Sequence, residues 1–328
     1  NLAYQGVFDR ATFDLLELPA EWWDIEGVEY WGGFCFIKGG LNFSDAITTV
    51  SPSYAEEIKT PAFGCGLDGV LRKRSNELFG LLNGIDAEHW NPAADPLIET
   101  CYSRANVTEG KRRNRHALQR LLGLAPMEVP LFIFIGRLAD QKGADLLLAA
   151  REEIAALPLQ LVFLAAGDAG LEQACRAWAS EMPERVAALI RMDEALAHRL
   201  TAAADFQLMP SRFEPCGLSQ LYAQRYGTVP VVRATGGLRD TVIDLNADTL
   251  ADQSATGILF AEADVDGVLS GIRRALRLYQ SKSSLLAVRR AGMSKDFSWD
   301  KAAARYLELY RELIPAPAIS ATSPASVQ

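Results

Sequence analysis

The 328-residue chain has few of the residues that build disulfide frameworks or metal centres. Its five cysteines are odd in number and include no C-x-x-C pair, and its three histidines are dispersed without ligand spacing. We therefore expect neither a disulfide framework nor a metal site. Reduced thiols are typical of proteins in a reducing compartment, so a cytoplasmic location is predicted.

The chain also lacks long apolar runs and an excess of positive charge. No apolar run approaches the roughly 18 residues of a membrane-spanning helix, and no signal-peptide pattern is present. The formal net charge of −8 argues against a nucleic-acid-binding surface. We expect neither a membrane nor a nucleic acid as a partner. With 49% apolar and 23% charged residues, the chain is long enough for two ordinary domains with a sizeable core.

Strand and helix patterns alternate regularly from about residue 114 onward. Strands are predicted at 130–135, 160–165, 186–192, 206–209, 228–232 and 256–260, and helices at 114–122, 142–157, 171–181, 194–204, 218–226 and 265–278. Earlier in the chain, 30–36 is an apolar, aromatic-rich run, strands are predicted at 46–51 and 78–82, helices at 38–45 and 53–58, and a last helix at 299–313. Such alternation indicates an α/β fold with a parallel, doubly wound sheet.

The most informative segment is residues 210–222, which read PSRFEPCGLSQLY. The apolar run 206–209 ends at Pro210, which places Glu214 at the carboxyl end of a strand, facing the start of the next helix. In open α/β sheets the ligand crevice lies there, and helix N-termini favour anions. A carboxylate at such a place suits a sugar-nucleotide donor. The alternative is a turn in which Glu214 only caps the helix.

Three further segments combine with residues 211–222 into a set of four motifs in a distinctive order. The set is LNGID at 82–86, GRLADQKG at 136–143, SRFEPCGLSQLY at 211–222 and TGGLRDTV at 235–242. Together they resemble the bacterial glycogen synthases and plant starch synthases, which are retaining glucosyltransferases. The resemblance extends from NLAYQG at 1–6 to DFSW at 296–299, nearly the whole chain.

This resemblance implies the GT-B architecture of two Rossmann-like domains, with the N-terminal one incomplete. The implied divisions are the C-terminal part of the acceptor-side domain (1–85), the nucleotide-sugar-binding domain (86–294), a helix that crosses back to the first domain (295–314) and a disordered Pro/Ala/Ser-rich tail (315–328). The family's K-x-G-G loop and the His before NLAYQG have no counterpart here. We therefore expect a fragment of a longer protein that binds ADP weakly and does not elongate glycogen.

By resemblance, the substrates are ADP-glucose and an α-1,4-glucan such as glycogen, and no cofactor is needed. Arg137 and Lys142 match the family's phosphate-binding pair, in which arginine offers a bidentate fork and lysine a point charge. Stabilisation of the charge on the leaving diphosphate should make the largest contribution to the rate enhancement. Glu214 matches the acid that contacts the donor glucose. These three residues are the predicted catalytic set.

The same resemblance predicts a set of donor-binding residues. They are Asn83, Gly136, Cys216, Gly217, Leu218, Ser219, Thr235, Gly236 and Gly237. Backbone amides at 216–218 are expected to face the sugar or phosphate, and Ser219 is expected mainly to cap its helix. Met192 stands where the family commonly has a tyrosine that stacks on adenine, so base selectivity is open.

Two other functions are compatible with parts of the pattern. One is another retaining GT-B transferase of sucrose or trehalose type. A related glycosyltransferase pattern has a second glutamate eight residues after the position of Glu214. Here Tyr222 takes that place, and both Tyr222 and Cys216 disfavour this alternative. The other is a catalytically silent remnant that binds glucan or nucleotide.

Overall fold

Apolar runs that are buried on both faces build the largest sheet of this protein. The computed structural model describes residues 2–314. In this part of the chain the strands are β1 (Val7–Phe8), β2 (Glu29–Tyr30), β3 (Gly33–Cys35), β4 (Ile47–Thr49), β5 (Leu78–Gly80), β6 (Leu131–Leu138), β7 (Gln160–Gly167), β8 (Val186–Leu189), β9 (Phe206–Met209), β10 (Val229–Arg233) and β11 (Ile258–Phe260). Six of them, β6 to β11, form one sheet in the order β11-β10-β9-β6-β7-β8.

Helices connect these strands and cover both faces of the sheet. The helices are α1 (Arg10–Leu15), α2 (Phe36–Phe43), α3 (Pro52–Glu57), α4 (Asp68–Lys73), α5 (Val107–Leu122), α6 (Ala144–Ala149), α7 (Arg151–Ala155), α8 (Ala169–Glu181), α9 (Glu194–Ala203), α10 (Ser219–Arg225), α11 (Gly236–Thr241), α12 (Ala247–Ala251), α13 (Val265–Gln280), α14 (Lys282–Met293) and α15 (Trp299–Leu313). No helix in the described residues is long and apolar enough to cross a membrane.

All neighbouring strands of the six-stranded sheet run parallel, as predicted. Successive side chains of β6 point to opposite faces. Phe132 and Phe134 enter the core beneath one face, and Leu131 and Ile133 enter the core beneath the other. The apolar runs predicted as strands are therefore apolar because both faces of the sheet are covered.

The structure differs from the predicted elements at several points. The helix predicted at 142–157 is divided into a 3-10 turn at Asp140–Lys142 followed by α6 and α7, because Gly143 adopts a left-handed conformation with φ of +69°. The strand predicted at 186–192 ends at Leu189. Helix α14 was not predicted at all.

Residues 2–85 carry two small sheets. Strands β1, β3 and β2 pair antiparallel, and β4 pairs parallel with β5. The aromatic-rich run at 30–36 forms most of the hairpin of β2 and β3, which leads into α2. Tyr54, Leu67 and Leu71 help to form the core of this region. Helix α3 packs against α11, which joins this region to the large sheet.

Helix α15 begins beside the segment that leaves β5. The backbone N–H of Ile85 donates to the carbonyl of Phe297 at 2.8 Å. A Cβ on Gly84 would lie 2.6 Å from the backbone of Trp299, so glycine permits the close approach. The last helix thus starts in contact with the end of the first region. The predicted domain boundaries stay a prediction, and the tail at 315–328 lies outside the described residues.

Candidate active site

Two predicted residues meet where the order of the large sheet reverses. From β6 the chain proceeds to β7 and β8 on one side, whereas β9 leads to β10 and β11 on the other. The crevice at the carboxyl ends of such a pair of strands is the usual ligand site of an open α/β sheet. Lys142, after β6, and Glu214, after β9, form an ion pair there, with 2.5 Å between Nζ and Oε2.

The Glu214 carboxylate is held in a buried position. Only 5% of the residue is exposed, and the Ser211 hydroxyl donates to the same Oε2 at 3.1 Å. Lys142 is less buried, with 23% of its side chain exposed. The pair therefore presents a fixed carboxylate with a cation that borders the solvent, which suits recognition of a polar, partly anionic ligand.

Arg137 reaches the same edge through one intermediate residue. It lies near the end of β6 with an exposed side chain, and its Nη2 donates to Oε1 of Gln141 at 3.3 Å. The amide of Gln141 in turn donates to the carbonyl of Phe213 at 3.2 Å, next to Glu214. Arg137 is thus connected to the loop of Glu214, while its guanidinium stays accessible to a ligand.

Close backbone contacts fix the loops that carry these side chains. Gly236 has φ of +44°, and a Cβ there would lie 2.1 Å from the carbonyl oxygen of Glu214. The N–H of Gly237 donates to that carbonyl at 2.9 Å. At Gly143 a Cβ would lie 2.1 Å from the carbonyl of Pro210. Since any side chain would collide at these points, glycine is required to bring the three loops together.

Asn83 and Cys216 are neighbours at this edge. Burial raises the pKa of the Cys216 thiol, an effect that the backbone N–H of Asn83 opposes and the charges of Glu214 and Asp240 reinforce. The thiol is therefore protonated near neutral pH, which argues against a nucleophilic role. Asn83 belongs to the first region of the chain, and its donor-binding role stays a prediction.

Ser219 does not cap helix α10, so that expectation was wrong. Leu218 is the N-cap residue and no side chain bonds to the free amides. Gln220 instead secures the loop, because its amide donates to the carbonyls of Cys216 at 3.1 Å and Gly217 at 3.0 Å. These bonds explain how Gly217 keeps its left-handed conformation, with φ of +70°.

Sequence reasoning missed the residues that join α3 to α11. Oε1 of Glu57 accepts from the N–H of Gly236 at 2.8 Å and from the hydroxyl of Thr235 at 3.1 Å. The hydroxyl of Ser53 donates to Asp240 at 2.6 Å. No local pattern marks Glu57, because its partners lie almost 180 residues away. The carboxylate covers the start of α11, where Thr235, Gly236 and Gly237 were predicted to approach the donor.

Gly136, Met192 and Tyr222, which the sequence also singled out, lie in different surroundings. Gly136 lies within β6, with open space where a Cβ would point. Met192 is 72% exposed on the segment between β8 and α9. Tyr222 packs its ring on Trp90 with 3.9 Å between centroids. The donor-binding roles of Gly136 and Met192 stay predictions.

Comparison with known proteins agrees with this geometry. The family model for the starch synthase catalytic domain matches residues 1–73, and the model for glycosyl transferases group 1 matches residues 123–286, half of the chain. Glycogen synthase 1 of Methylococcus capsulatus is 51% identical over 315 residues, which cover 96% of this chain and 64% of that protein. The glycogen synthase of Aromatoleum aromaticum is 50% identical and covers 94% of this chain and 63% of that protein.

The chain belongs to the glycogen synthase and starch synthase family of glycosyltransferases. Among solved structures, the catalytic domain of starch synthase IV from Arabidopsis thaliana, bound to ADP and acarbose, superposes with a TM-score of 0.89 at 35% identity and covers 95% of this chain and 65% of that one. The sucrose-phosphate synthase of Thermosynechococcus elongatus, with a TM-score of 0.56 at 23% identity, shares the fold. The predicted GT-B glycosyltransferase fold is thus confirmed. The chain spans slightly less than two thirds of the length of the curated relatives.

Proposed function

We propose that this family member transfers glucose from ADP-glucose to the non-reducing end of an α-1,4-glucan, with retention of configuration and without a cofactor. The observation that carries the proposal is the Lys142–Glu214 pair, which lies at the reversal point of the sheet. Similarity to glycogen synthases, and the ADP and acarbose bound to starch synthase IV, support the choice of donor and acceptor. The described cysteines are all free thiols, which supports a reducing, cytoplasmic setting.

In the proposed reaction the bond between glucose C1 and the diphosphate oxygen breaks, and a bond from C1 to the acceptor 4-oxygen forms on the same face. The acceptor proton passes to the leaving diphosphate, so that ADP and the elongated glucan are the products. Arg137 and Lys142 stabilise the charge that develops on the diphosphate. Glu214 accepts hydrogen bonds from the donor glucose, and its buried position keeps the carboxylate oriented for this role.

Donor binding by this chain tests the proposal, since transfer itself is proposed for the whole protein. Calorimetry should detect binding of ADP and ADP-glucose. Lys142→Ala and Arg137→Ala should each weaken it roughly 10- to 100-fold, the value of a hydrogen bond to a charged group. Arg151→Ala, which removes a partly exposed arginine that pairs with Glu181, should leave affinity unchanged.

Two results would contradict the assignment. Unchanged ADP affinity in both Lys142→Ala and Arg137→Ala would remove the phosphate role. Clear preference for UDP-glucose over ADP-glucose would favour a transferase of sucrose type. That alternative has less support, because its solved relative shares the fold at 23% identity only.

A further inference from the structure

A second group of ligand-type side chains lies on helix α9 and the segment after Ile85. We call His89, Glu194 and His198 the His–Glu–His cluster; one ligand atom from each lies within 4.8 Å of the other two. Nε2 of His89 is 2.8 Å from Oε1 of Glu194. Glu194 and His198 are four residues apart on α9, a spacing that places both on one face of a helix. No single local motif contains the cluster, because 109 residues separate the two histidines.

The buried member of the cluster has a nitrogen without a partner. His198 is fully buried, and its Nδ1 lies 2.8 Å from Oδ2 of Asp95. Because a carboxylate accepts hydrogen bonds, the ring proton is assigned to Nδ1, which leaves the lone pair on Nε2. Within residues 2–314 this Nε2 has no hydrogen-bond partner. Buried polar atoms in native proteins are nearly always satisfied by protein, water or an ion, so this lone pair is available to a ligand.

The surroundings of His198 resemble those of a metal-bound imidazole. Histidines that bind metals usually donate their other N–H to a carboxylate, which fixes the ring and raises its basicity. Asp95 occupies that place, and it is itself held by the hydroxyl of Tyr226 at 2.7 Å. Trp90 stacks on the His198 ring with 3.7 Å between centroids, so the ring cannot turn freely.

We propose that the His–Glu–His cluster binds one Zn²⁺ ion through two imidazole nitrogens and one carboxylate oxygen, with water as the fourth ligand. Two histidines and a glutamate form a known ligand set of zinc, whereas Mg²⁺ and Ca²⁺ prefer oxygen ligands. His89 and Glu194 have exposed side chains that can adjust to bond lengths of about 2.0–2.2 Å. The ion would fasten residues 86–95 to α9. This proposal does not depend on the proposed glucosyl transfer, and no step of that reaction passes through the ion.

Metal titration of the chelator-treated chain tests the proposal. Calorimetry with Zn²⁺ should give one ion per chain, and Co²⁺ should give the visible absorption of a tetrahedral site with nitrogen and oxygen ligands. His89→Ala and Glu194→Gln change exposed side chains and should not disturb the fold. Each should weaken Zn²⁺ binding by at least the roughly 10- to 100-fold that loss of an outer-shell partner costs.

His116→Ala is the matched control. His116 lies 3.9 Å from the carboxylate of Glu128 but outside the cluster, so its removal should leave Zn²⁺ affinity unchanged. Zinc should also raise the unfolding temperature of the native chain and of His116→Ala, but not that of His89→Ala. Absence of one-to-one uptake would overturn the proposal. So would uptake that survives both His89→Ala and Glu194→Gln, or that His116→Ala abolishes equally.

Discussion

Replacing Asp205 by asparagine should destabilise the large domain severely. Asp205 immediately precedes β9 and is 4% exposed. Its Oδ2 accepts from Arg115 of α5 at 2.7 Å and from the N–H of Leu131 at 2.9 Å, and its Oδ1 pairs with Arg289 of α14. Both arginine side chains are at least 92% buried, and each has an Nε without a partner in the described residues. Asp205 is thus a buried anion shared by two buried cations, and the second carboxylate near Arg115, that of the exposed Glu128, lies farther away at 3.7 Å.

The size of the loss follows from that arrangement. Removing one partner of a buried ion pair costs about 3–5 kcal/mol, because the remaining charge stays buried without compensation. For a domain of this size, that corresponds to a fall in Tm of about 6–20 °C. Asp145→Asn is the matched control, since Asp145 bonds to Arg212 at 2.6 Å but is 36% exposed. Loss of such a partly solvated pair should cost about 1 kcal/mol or less.

The pH dependence of unfolding gives a second measurement. Burial pushes the pKa of Asp205 upward, but the charges of Arg289 and Arg115 outweigh this effect and hold the pKa below its usual value. Such a group stabilises the fold above its unfolded pKa of about 3.9, and the contribution disappears as the pH falls through the folded pKa. Urea unfolding monitored by circular dichroism should show this acid-dependent loss in the native chain and less of it in Asp205→Asn. Equal stabilities of Asp205→Asn and Asp145→Asn at pH 7 would refute the reasoning.

Three further changes address the candidate site. Gly236→Ala should lower the free energy of unfolding in urea by about 1–3 kcal/mol, because residue 236 has a positive φ and a Cβ there would collide with Glu214. Gly40→Ala, in a helix with open space around that position, should be neutral or stabilising. Equal losses of stability in the two variants would contradict this account. Glu214→Gln should weaken ADP-glucose binding about fivefold in calorimetry but not ADP binding, since it removes a charged acceptor and frees Lys142; a matching loss for ADP would count against a sugar contact. Met192→Tyr should tighten ADP binding about fivefold, because the tyrosine ring can stack on the adenine base. Unchanged ADP affinity would mean that the exposed segment of Met192 does not reach the base.

Elements in which local apolar spacing and tertiary packing agree were predictable from the sequence. The strand predicted at 206–209 matches β9 residue for residue, because an apolar run that ends at Pro210 has few alternatives. The helix predicted at 299–313 also matches α15. In both cases the local apolar spacing and the tertiary contacts favour the same structure.

Elements whose signals conflict were not predictable. Ser281, Ser283 and Ser284 give the start of α14 a loop-like composition, yet Leu285 and Val288 are buried and stabilise the helix by packing. Packing overrides weak local propensity in this way. Ser219 is the opposite case, a favourable capping residue whose capping role is lost because the helix begins at Ser219 itself, one residue earlier than a cap at that position requires.

The candidate site was predictable only in part, for a related reason. Arg137 lies near the end of one strand of the large sheet, and Lys142 and Glu214 follow strands of the same sheet, so their place at its carboxyl edge follows from topology. Glu57 and the His–Glu–His cluster depend on partners that are more than 100 residues away in sequence. No periodicity or local motif records such a contact, so only the folded chain reveals it.

The contacts of α3 also have a consequence for the order of folding. Ser51 bonds to the carbonyl of Pro215, Ser53 to Asp240 and Glu57 to Gly236, across separations of 164 to 187 residues. Closing so long a loop costs conformational entropy before any contact compensates for it, whereas β6 and β7 pair across about 29 residues. Residues 47–57 should therefore dock onto a sheet that has already formed. In pulse-labelling hydrogen exchange during refolding, the amides of Ser53 and Gly236 should gain protection after those of β6, and the reverse order would exclude this sequence of events.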